Sequence, residues 1–237
     1  MTAFERLLEV QGHDTAVDRL HHQRARLPER AQLGAVQERA SELAARLAAT
    51  RARLDAVEQR QAALESDVAR IDHRIREIEK RMYSGEVSAT RDLLAMTAEV
   101  DALKSRRSSL EDDALAAMEE AEPLVEEIAT LEAQNEALGS EAAGLRSTIA
   151  AAEAEIDAQA GVEAERRGQL AEHVPADLLD TYEKLRSTLG GVGAARLVGT
   201  SCSGCHLTLP ASEVARLKRE PPDALVLCDQ CGRILVR

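Results

Sequence analysis

Four cysteines lie in two Cys-x-x-Cys pairs towards the C-terminal end of the sequence. The pairs are Cys202-Ser-Gly-Cys205 and Cys228-Asp-Gln-Cys231, with 22 residues between them. Four thiolates delivered by two tight turns match the tetrahedral coordination of zinc, and this spacing is typical of a zinc ribbon. Gly204 and Gly232 suit such turns, where backbone amides point at the sulfurs through unusual dihedral angles. We therefore expect one zinc ion per chain, bound by all four cysteines.

Other chemistries explain these cysteines less well. Cys202-Ser-Gly-Cys205-His206 also spells the attachment motif of c-type haem, but that chemistry requires export and leaves the second pair unused. The segment Met1–Leu7 has no apolar run of the kind found in signal peptides. A redox motif needs only one pair, and nothing indicates an oxidising compartment in which disulfides would persist. His206 could replace one cysteine as a ligand, although a bystander on the following strand is the simpler interpretation.

The composition argues against an ordinary globular domain. The chain has 237 residues, a net charge of −12 and 1% aromatic residues, with no Trp. A core of this size would normally be built around several aromatic side chains, whereas 30% charged residues with abundant Ala is typical of coiled coils. Because no apolar stretch of about 18 residues occurs, we expect no membrane segment and a cytoplasmic protein.

Apolar residues recur at steps of three and four along two long segments, which predicts the two arms of a coiled coil. The first series covers residues 33–82 and the second covers 93–156. The break at 83–88 contains Gly85 and Ser88, which suit the end of one helix and the start of the next. Two arms joined by so short a break should fold back as an antiparallel hairpin.

A separate helix is predicted before the first arm. Pro28 interrupts the pattern, because proline disfavours helix at the residue before it. The second arm runs on to about Glu172, and the segment Ala3–Leu27 offers apolar residues to its excess length: Phe4, Leu7, Val10, Val17 and Leu20. We therefore assign residues 1–173 to a helical coiled-coil hairpin, with a break near 28 and a tip near 83–88.

The remainder of the chain predicts a linker and a small β-rich module. Residues 174–193 form a short helix and a flexible Gly-rich joint, and residues 194–237 form the zinc ribbon. Within the ribbon we expect a helix at 211–219 and four strands, at 194–199, 206–209, 224–228 and 233–236. We also expect the ribbon and the hairpin to share almost no core. The predicted fold is mainly α, a long antiparallel coiled-coil hairpin followed by a small C-terminal β-rich zinc ribbon.

Two groups of residues are candidates for contacts with partners. Basic residues of the ribbon could meet phosphates or an acidic protein; they are Arg196, Arg216, Lys218, Arg219 and Arg233. Residues 194–237 hold six basic and four acidic residues, a balance of +2, and zinc bound by four thiolates adds −2. The loaded ribbon is thus near neutral, which is a weak footprint for nucleic acid. At the hairpin tip, Tyr83 and Glu86 are candidate contacts, with capping of the last seam layer as the alternative for Tyr83.

These features together resemble a bacterial family of coiled-coil hairpin proteins with a C-terminal four-cysteine zinc ribbon. The resemblance rests on four segments: Leu27-Pro-Glu-Arg30, Met82-Tyr-Ser-Gly-Glu-Val87, Tyr182-Glu-Lys-Leu185 and Cys228-Asp-Gln-Cys-Gly-Arg-Ile-Leu235. It implies the hairpin and ribbon fold and the four cysteine ligands. Members of that family are described as nucleic-acid-binding zinc-ribbon proteins. One flagellar branch looks like a chaperone of the sigma factor sigma-54 and a binder of flagellin messenger RNA.

Three functions fit the sequence. The first is a non-enzymatic adaptor or chaperone-like protein that engages protein partners through the hairpin, in transcription or RNA regulation. The second is a weak RNA or DNA binder that uses the basic ribbon, although the ribbon has no aromatic residue for base stacking. The third is an RNA-polymerase-channel factor, for which the tip offers Glu86 and Asp92. No catalytic motif is present, and a closed four-cysteine zinc site has no open position for water.

Overall fold

The computed structural model describes residues 2–85, 87–221 and 223–237. Within these described ranges, five helices and three short strands follow one another. The elements are α1 (Ala3–Ala25), α2 (Pro28–Tyr83), α3 (Thr90–Ala171), α4 (Ala176–Thr188), β1 (Ala194–Val198), β2 (Ser201–Cys202), α5 (Ala211–Leu217) and β3 (Ile234–Val236). They form two compact units, one comprising Met1–Gln32 with Leu145–Arg237 and the other comprising Leu33–Gly144.

The unit Leu33–Gly144 is part of the coiled-coil hairpin that was predicted over residues 1–173, and its buried residues confirm the heptad pattern. Every buried residue that the structure describes in this unit falls on the predicted series. On α2 these are Val36, Leu43, Leu47, Thr50, Val57, Ile75 and Ile78, and on α3 they are Val100, Leu110, Ala114, Ala117, Leu124, Leu131, Leu138 and Ala142. The seam holds because side chains three and four residues apart lie on one face of each helix.

In the other unit, α1 packs against the last part of α3, as the sequence predicts. Thr2 and Glu5 start α1 with a capping box, in which each side chain accepts a hydrogen bond from the other residue's backbone amide. Further along α1, Leu20 packs on Ile156 and Ala160 of α3. The excess length of α3 thereby gains a partner helix from the N-terminal segment.

The ribbon contains fewer strands than predicted. Its sheet has the order β2-β1-β3, with β1 antiparallel to β2 and parallel to β3. Where strands were expected at 206–209 and 224–228, the structure has only isolated bridges at Thr208 and Leu227. Position 206 cannot extend a strand, because His206 has a left-handed φ of 61°.

The prediction that the ribbon shares almost no core with the helices is wrong. Ile234 and Val236 of β3 and Ala194 of β1 are buried in one cluster with helical residues. The helical members of this cluster are Phe4, Leu7, Val10, Ala171, Val174, Leu178 and Tyr182. Because successive residues of a strand point to opposite faces, the same strands can also line a second core on the zinc side. This arrangement was not predicted from the sequence, because each strand is too short to show an alternating pattern.

The Gly-rich segment before β1 is packed rather than free, which corrects the prediction of a flexible joint. The buried side chain of Gln11 on α1 accepts a 2.7 Å hydrogen bond from the amide of Gly193 and donates one of 3.0 Å to the carbonyl of Gly191. A β-carbon at Gly193 would lie 2.7 Å from the carbonyl oxygen of Tyr182, so only glycine fits there. The glycines therefore allow close packing of this segment on α1 and α4.

Candidate metal centre

The four cysteines come from two turns that follow the same backbone path. Cys202 ends β2, and its carbonyl accepts a 2.8 Å hydrogen bond from the amide of His206. In the second turn the carbonyl of Cys228 accepts a 2.8 Å bond from the amide of Gly232. Each turn thus closes four residues after its first cysteine, which places both cysteines of a pair on the inner side of the turn.

The sulfurs are close enough to share one ion. The four Sγ atoms lie within 4.8 Å of one another, and Sγ of Cys202 is 3.9 Å from Sγ of Cys231. Tetrahedral zinc with bonds of about 2.3 Å requires sulfurs about 3.8 Å apart. Sulfur donors at this separation fit zinc, and the predicted ligands Cys202, Cys205, Cys228 and Cys231 are the residues brought together.

Local hydrogen bonds and burial shift the acidity of these thiols in different directions. Burial raises the pKa of Cys202, and it raises the pKa of Cys228 to about 12. Burial acts in the same direction on Cys231, but hydrogen bonds from the backbone and side chain of Arg233 outweigh it and lower the pKa of that thiol to about 7. Zinc, when bound, holds all four as thiolates and cross-links the two turns.

Gly204 and Gly232, the glycines of the two cysteine turns, have different roles. Only one of these roles agrees with the prediction. Gly232 has a φ of 71°, so it supplies the left-handed conformation expected of it. The amide of Gly204 points at Sγ of Cys202 over 3.4 Å, but a β-carbon at Gly204 would lie 2.7 Å from Cδ of Arg233 and 2.9 Å from Cβ of Ala195. Gly204 is therefore required for space. The position equivalent to Gly232 in the first turn is occupied by His206, which is exposed and lies outside the thiol cluster.

A small apolar core supports the metal centre on one side. Cys202 and Cys228 are buried together with residues of α5 and the strands, namely Ala195, Leu209, Val214, Leu217, Val226 and Leu235. The metal centre and this core form one packed cluster.

The basic residues proposed as a contact surface divide into two groups. Arg233 donates hydrogen bonds to the carbonyls of Val192 and Leu189 at 2.9 and 3.1 Å. Its guanidinium therefore stabilises the fold. Arg216 forms an ion pair with Asp229 at 3.4 Å. Arg196, Lys218 and Arg219 are exposed and, among the residues described, have no side-chain hydrogen bond or ion pair. Three of the five candidates therefore remain available to a partner.

The predicted tip residues are placed only in part. Tyr83 is 85% exposed, which excludes capping of the last seam layer. Glu86 lies outside the residues that the structure describes. A contact role for the tip stays a prediction that depends on Tyr83.

Two buried polar residues of α1 support the ribbon and were missed by sequence analysis. Gln11 holds the segment before β1, and Asp14 accepts a 2.6 Å hydrogen bond from the phenol of Tyr182 on α4. Both lie on the face of α1 that carries Leu7 and Val10, since positions 7, 10, 11 and 14 follow the helical spacing of three, four and seven. Their polar side chains interrupt the apolar pattern on that face, so the pattern alone did not select them.

No helix in the described part of the chain is both long enough and apolar enough to cross a membrane. This agrees with the hydropathy of the sequence.

Two protein-family profiles match consecutive parts of the chain. The profile of the CT398-like coiled-coil hairpin domain matches residues 10–190, and that of the C4-type zinc ribbon domain matches residues 201–235. Two curated relatives are the uncharacterized proteins Rv2229c and MT2288 from two strains of Mycobacterium tuberculosis. Each is 34% identical over 74 residues, and the match spans 31% of this chain but only 30% of the relative's length.

Solved structures extend the likeness to the full length. A protein of Mycobacterium smegmatis superposes with a TM-score of 0.89 at 28% identity, and CT398 of Chlamydia trachomatis superposes with 0.73 at 20%. The HP0958 protein of Helicobacter pylori gives a TM-score of 0.52 at 19% identity. Each comparison covers 99% of this chain and 97% of the other. The chain belongs to the family of proteins with a CT398-like coiled-coil hairpin, and it carries that hairpin together with a C4-type zinc ribbon.

Proposed function

We propose that this zinc-binding coiled-coil protein is a non-enzymatic adaptor whose hairpin engages protein partners and whose ribbon is a second recognition module. The observation that carries the proposal is a set of large apolar side chains that the hairpin leaves exposed although its seam is already filled. They are Tyr83, Leu94, Leu115, Met118 and Val125. Single exposed apolar residues are common on proteins, but Leu115, Met118 and Val125 lie within ten residues on one side of α3, and such a grouping is typical of an interaction surface.

The chemistry of the metal centre supports a non-enzymatic role. Four cysteine ligands complete the coordination of zinc, so neither water nor a substrate can bind the metal. In the described ranges, the four cysteines are the one group of three or more His, Cys, Asp or Glu residues close enough to share an ion. The zinc therefore stabilises the ribbon as a folded module.

The proposed role in transcription or RNA regulation rests on the resemblance of the sequence to nucleic-acid-binding zinc-ribbon proteins. The names of the mycobacterial relatives state no partner and no activity. We propose the cytoplasm as the site of action from the hydropathy of the sequence.

The proposal is tested with the full chain, because the ribbon shares a core with α1 and α4 and is no independent fragment. An affinity-tagged chain is expressed in the native host and recovered with and without nuclease. We expect a specific protein that survives nuclease and is absent from a parallel recovery of an unrelated acidic coiled coil. Recovery of no protein above this control contradicts the adaptor function, and a partner lost with nuclease supports the nucleic-acid alternative.

Nucleic-acid binding through the ribbon is the second candidate. Its support is the exposed cations Arg196, Lys218 and Arg219. It ranks below the adaptor, because Arg216 and Arg233 have intramolecular partners and the hairpin contributes acidic surface. The polymerase-channel alternative depends on Glu86, which lies outside the described residues, and on Asp92, an exposed acid in the first turn of α3.

A further inference from the structure

We propose that one edge of the hairpin binds a helix of a partner protein, and that this helix carries an apolar stripe flanked by basic residues. The surface, called here the acidic–apolar edge, consists of Leu115, Met118 and Val125 on α3 and Glu58 and Glu65 on α2. The inference rests on the proposed adaptor function and names the surface and the chemistry of its partner.

Two ion pairs define this edge at either end. Arg51 of α2 pairs with Glu132 of α3, and Glu79 of α2 pairs with Lys104 of α3 at 3.1 Å. Positions 51 and 79 are separated by four heptads, as are 104 and 132. The two pairs therefore lie along one edge of the seam, where flanking residues of antiparallel helices meet.

Heptad spacing places acidic and apolar residues between those two ion pairs. Stepping by seven from Arg51 gives Glu58 and Glu65 on α2, and stepping back by seven from Glu132 gives Val125 and Met118 on α3. The edge thus pairs acid with base at its ends, whereas in its middle two carboxylates lie opposite two apolar side chains. A cation is missing from α3 at both of these positions.

Exposure shows that these side chains face solvent. Met118 and Val125 are 47% and 52% exposed, and Leu115, one turn before Met118, is 56% exposed. Glu58 has no ion pair with any residue that the structure describes, and Glu65 accepts a 2.7 Å hydrogen bond from Gln61. The next acid along this edge, Asp72, is already occupied by Arg107 at 2.9 Å.

The opposite edge of the same hairpin has no apolar residue at the corresponding heptad positions, although Asp67 of α2 pairs with Arg70 of its own helix rather than with α3. Cross-helix ion pairs follow one another along it, each between an Arg of α2 and a Glu of α3. They are Arg39–Glu141, Arg46–Glu127, Arg60–Glu120 and Arg74–Glu99. The replacement of charged by apolar residues on α3 is therefore confined to one edge of the hairpin.

The dimensions and charge of the edge select its partner. Leu115 to Val125 is ten residues, or about 15 Å, close to three turns of a docked helix. An amphipathic helix lying in a groove uses apolar residues three, four and seven apart, and lysines or arginines beside them would meet Glu58 and Glu65. A second copy of this chain is disfavoured, because its net charge of −12 would bring like charges together.

The direct test measures binding of two synthetic helical peptides to the full chain by fluorescence anisotropy. Both peptides carry the same leucine stripe, flanked by lysines in one and by glutamates in the other. We expect the lysine peptide to bind and the glutamate peptide to bind at least about tenfold more weakly. Equal binding of both peptides, or binding of neither, overturns the proposal.

Matched variants then locate the binding site. Met118→Ser with Val125→Ser removes the apolar contact without changing charge, and Leu94→Ser is its control on the same helix. Glu58→Gln with Glu65→Gln removes two charges, and Glu38→Gln with Glu42→Gln is its control, at exposed positions of the same helix about 24 Å or more before Glu58. We expect about tenfold weaker binding for each test pair and less than about twofold for each control. Equal loss in test and control variants overturns the proposal, because it indicates non-specific attraction.

Two measurements separate this proposal from the adaptor function. If the nuclease-resistant partner from the host is still recovered with Met118→Ser/Val125→Ser, the adaptor stands and the edge is not its docking site. If sedimentation equilibrium shows that the wild type self-associates and this variant does not, the occupant is a second copy and the proposal is overturned. Circular dichroism of each variant confirms that the hairpin remains helical, which is expected because all substituted residues are exposed.

Discussion

The phenol of Tyr182 donates a 2.6 Å hydrogen bond to Oδ2 of Asp14 and joins α4 to α1 at a point closed to solvent. Arg167 donates to the other carboxylate oxygen at 3.3 Å, and Arg186 lies 3.6 Å from Oδ2. Burial, followed by the bond to Asp14, raises the pKa of Tyr182 well above its ordinary value of 10.0. One tyrosine thus connects two helices beneath the strands that carry the zinc ribbon.

Tyr182→Phe should lower the free energy of unfolding by about 2 kcal/mol, because it removes a hydrogen bond to a charged group and leaves Asp14 with fewer donors. Urea denaturation followed by circular dichroism measures the change. The matched control is Tyr83→Phe at the exposed tip, where we expect less than about 0.5 kcal/mol. Equal effects at both tyrosines would show that the buried hydrogen bond contributes nothing.

The same tyrosine should make the protein sensitive to high pH. In the unfolded chain the phenol ionises near 10.0, whereas in the folded chain its pKa is higher, so the folded state retains the proton. Stability from Tyr182 is therefore complete below about pH 10 and falls as the pH rises above it. Between pH 9 and pH 11, which lie roughly one unit below and above the pKa of the unfolded chain, the free energy of unfolding should fall more in the wild type than in Tyr182→Phe. Urea denaturation at each pH measures this difference.

Substitutions at the equivalent positions 206 and 232 of the two cysteine turns should have opposite effects on stability. His206 and Gly232 both have a left-handed φ, of 61° and 71°, which costs about 1–2 kcal/mol for a residue with a side chain. His206→Gly should therefore stabilise the zinc-loaded protein by about 0.5–1 kcal/mol, after allowance for the entropy of glycine. Gly232→Ala should destabilise it by about 1–2 kcal/mol. Thermal unfolding of both variants measures these changes in stability. A destabilised His206→Gly variant would show that the imidazole makes a stabilising contact.

Zinc analysis should give one ion per chain with four sulfur neighbours at about 2.3 Å by X-ray absorption. Cys228→Ser should lose the metal and release the ribbon. Because Ile234 and Val236 share a core with Phe4 and Leu7, the loss should spread to α1.

Hydrogen exchange distinguishes this spread from a local effect. Amides of α1 should exchange faster in Cys228→Ser, whereas those at 40–80 in the hairpin should not change. Unchanged protection of α1 would mean that the helical core holds without the ribbon.

Nucleic-acid binding by the full chain should be weak and salt-sensitive. Three available cations, Arg196, Lys218 and Arg219, predict a slope of log affinity against log salt of roughly −2 to −3, at about 0.7–0.9 per phosphate contact. Lys218→Gln with Arg219→Gln should abolish binding, and Arg216→Gln, which is already paired with Asp229, should change it little. Tight binding that resists salt would place the nucleic-acid function first.

The sequence predicts the hairpin and the metal site well because both obey short-range rules. Heptad spacing identifies the seam residues one by one, and two Cys-x-x-Cys turns identify the ligands. The shared core was missed because Phe4 and Ile234 are far apart in the chain and neither belongs to a long periodic segment. Gln11 was missed for a related reason, since its partners outside α1 are backbone atoms of a Gly-rich segment and carry no residue-type signal.

The core that joins α1 to β3 also has a consequence for biosynthesis. Phe4 is synthesised 230 residues before Ile234, which at 5–20 residues per second is a delay of roughly ten to fifty seconds. During that time the hairpin arms can pair, because all their contacts are between segments already made. Ala171 of α3 and Leu178 of α4 can cover part of the apolar face of α1 before β3 is made, so β3 completes this core last.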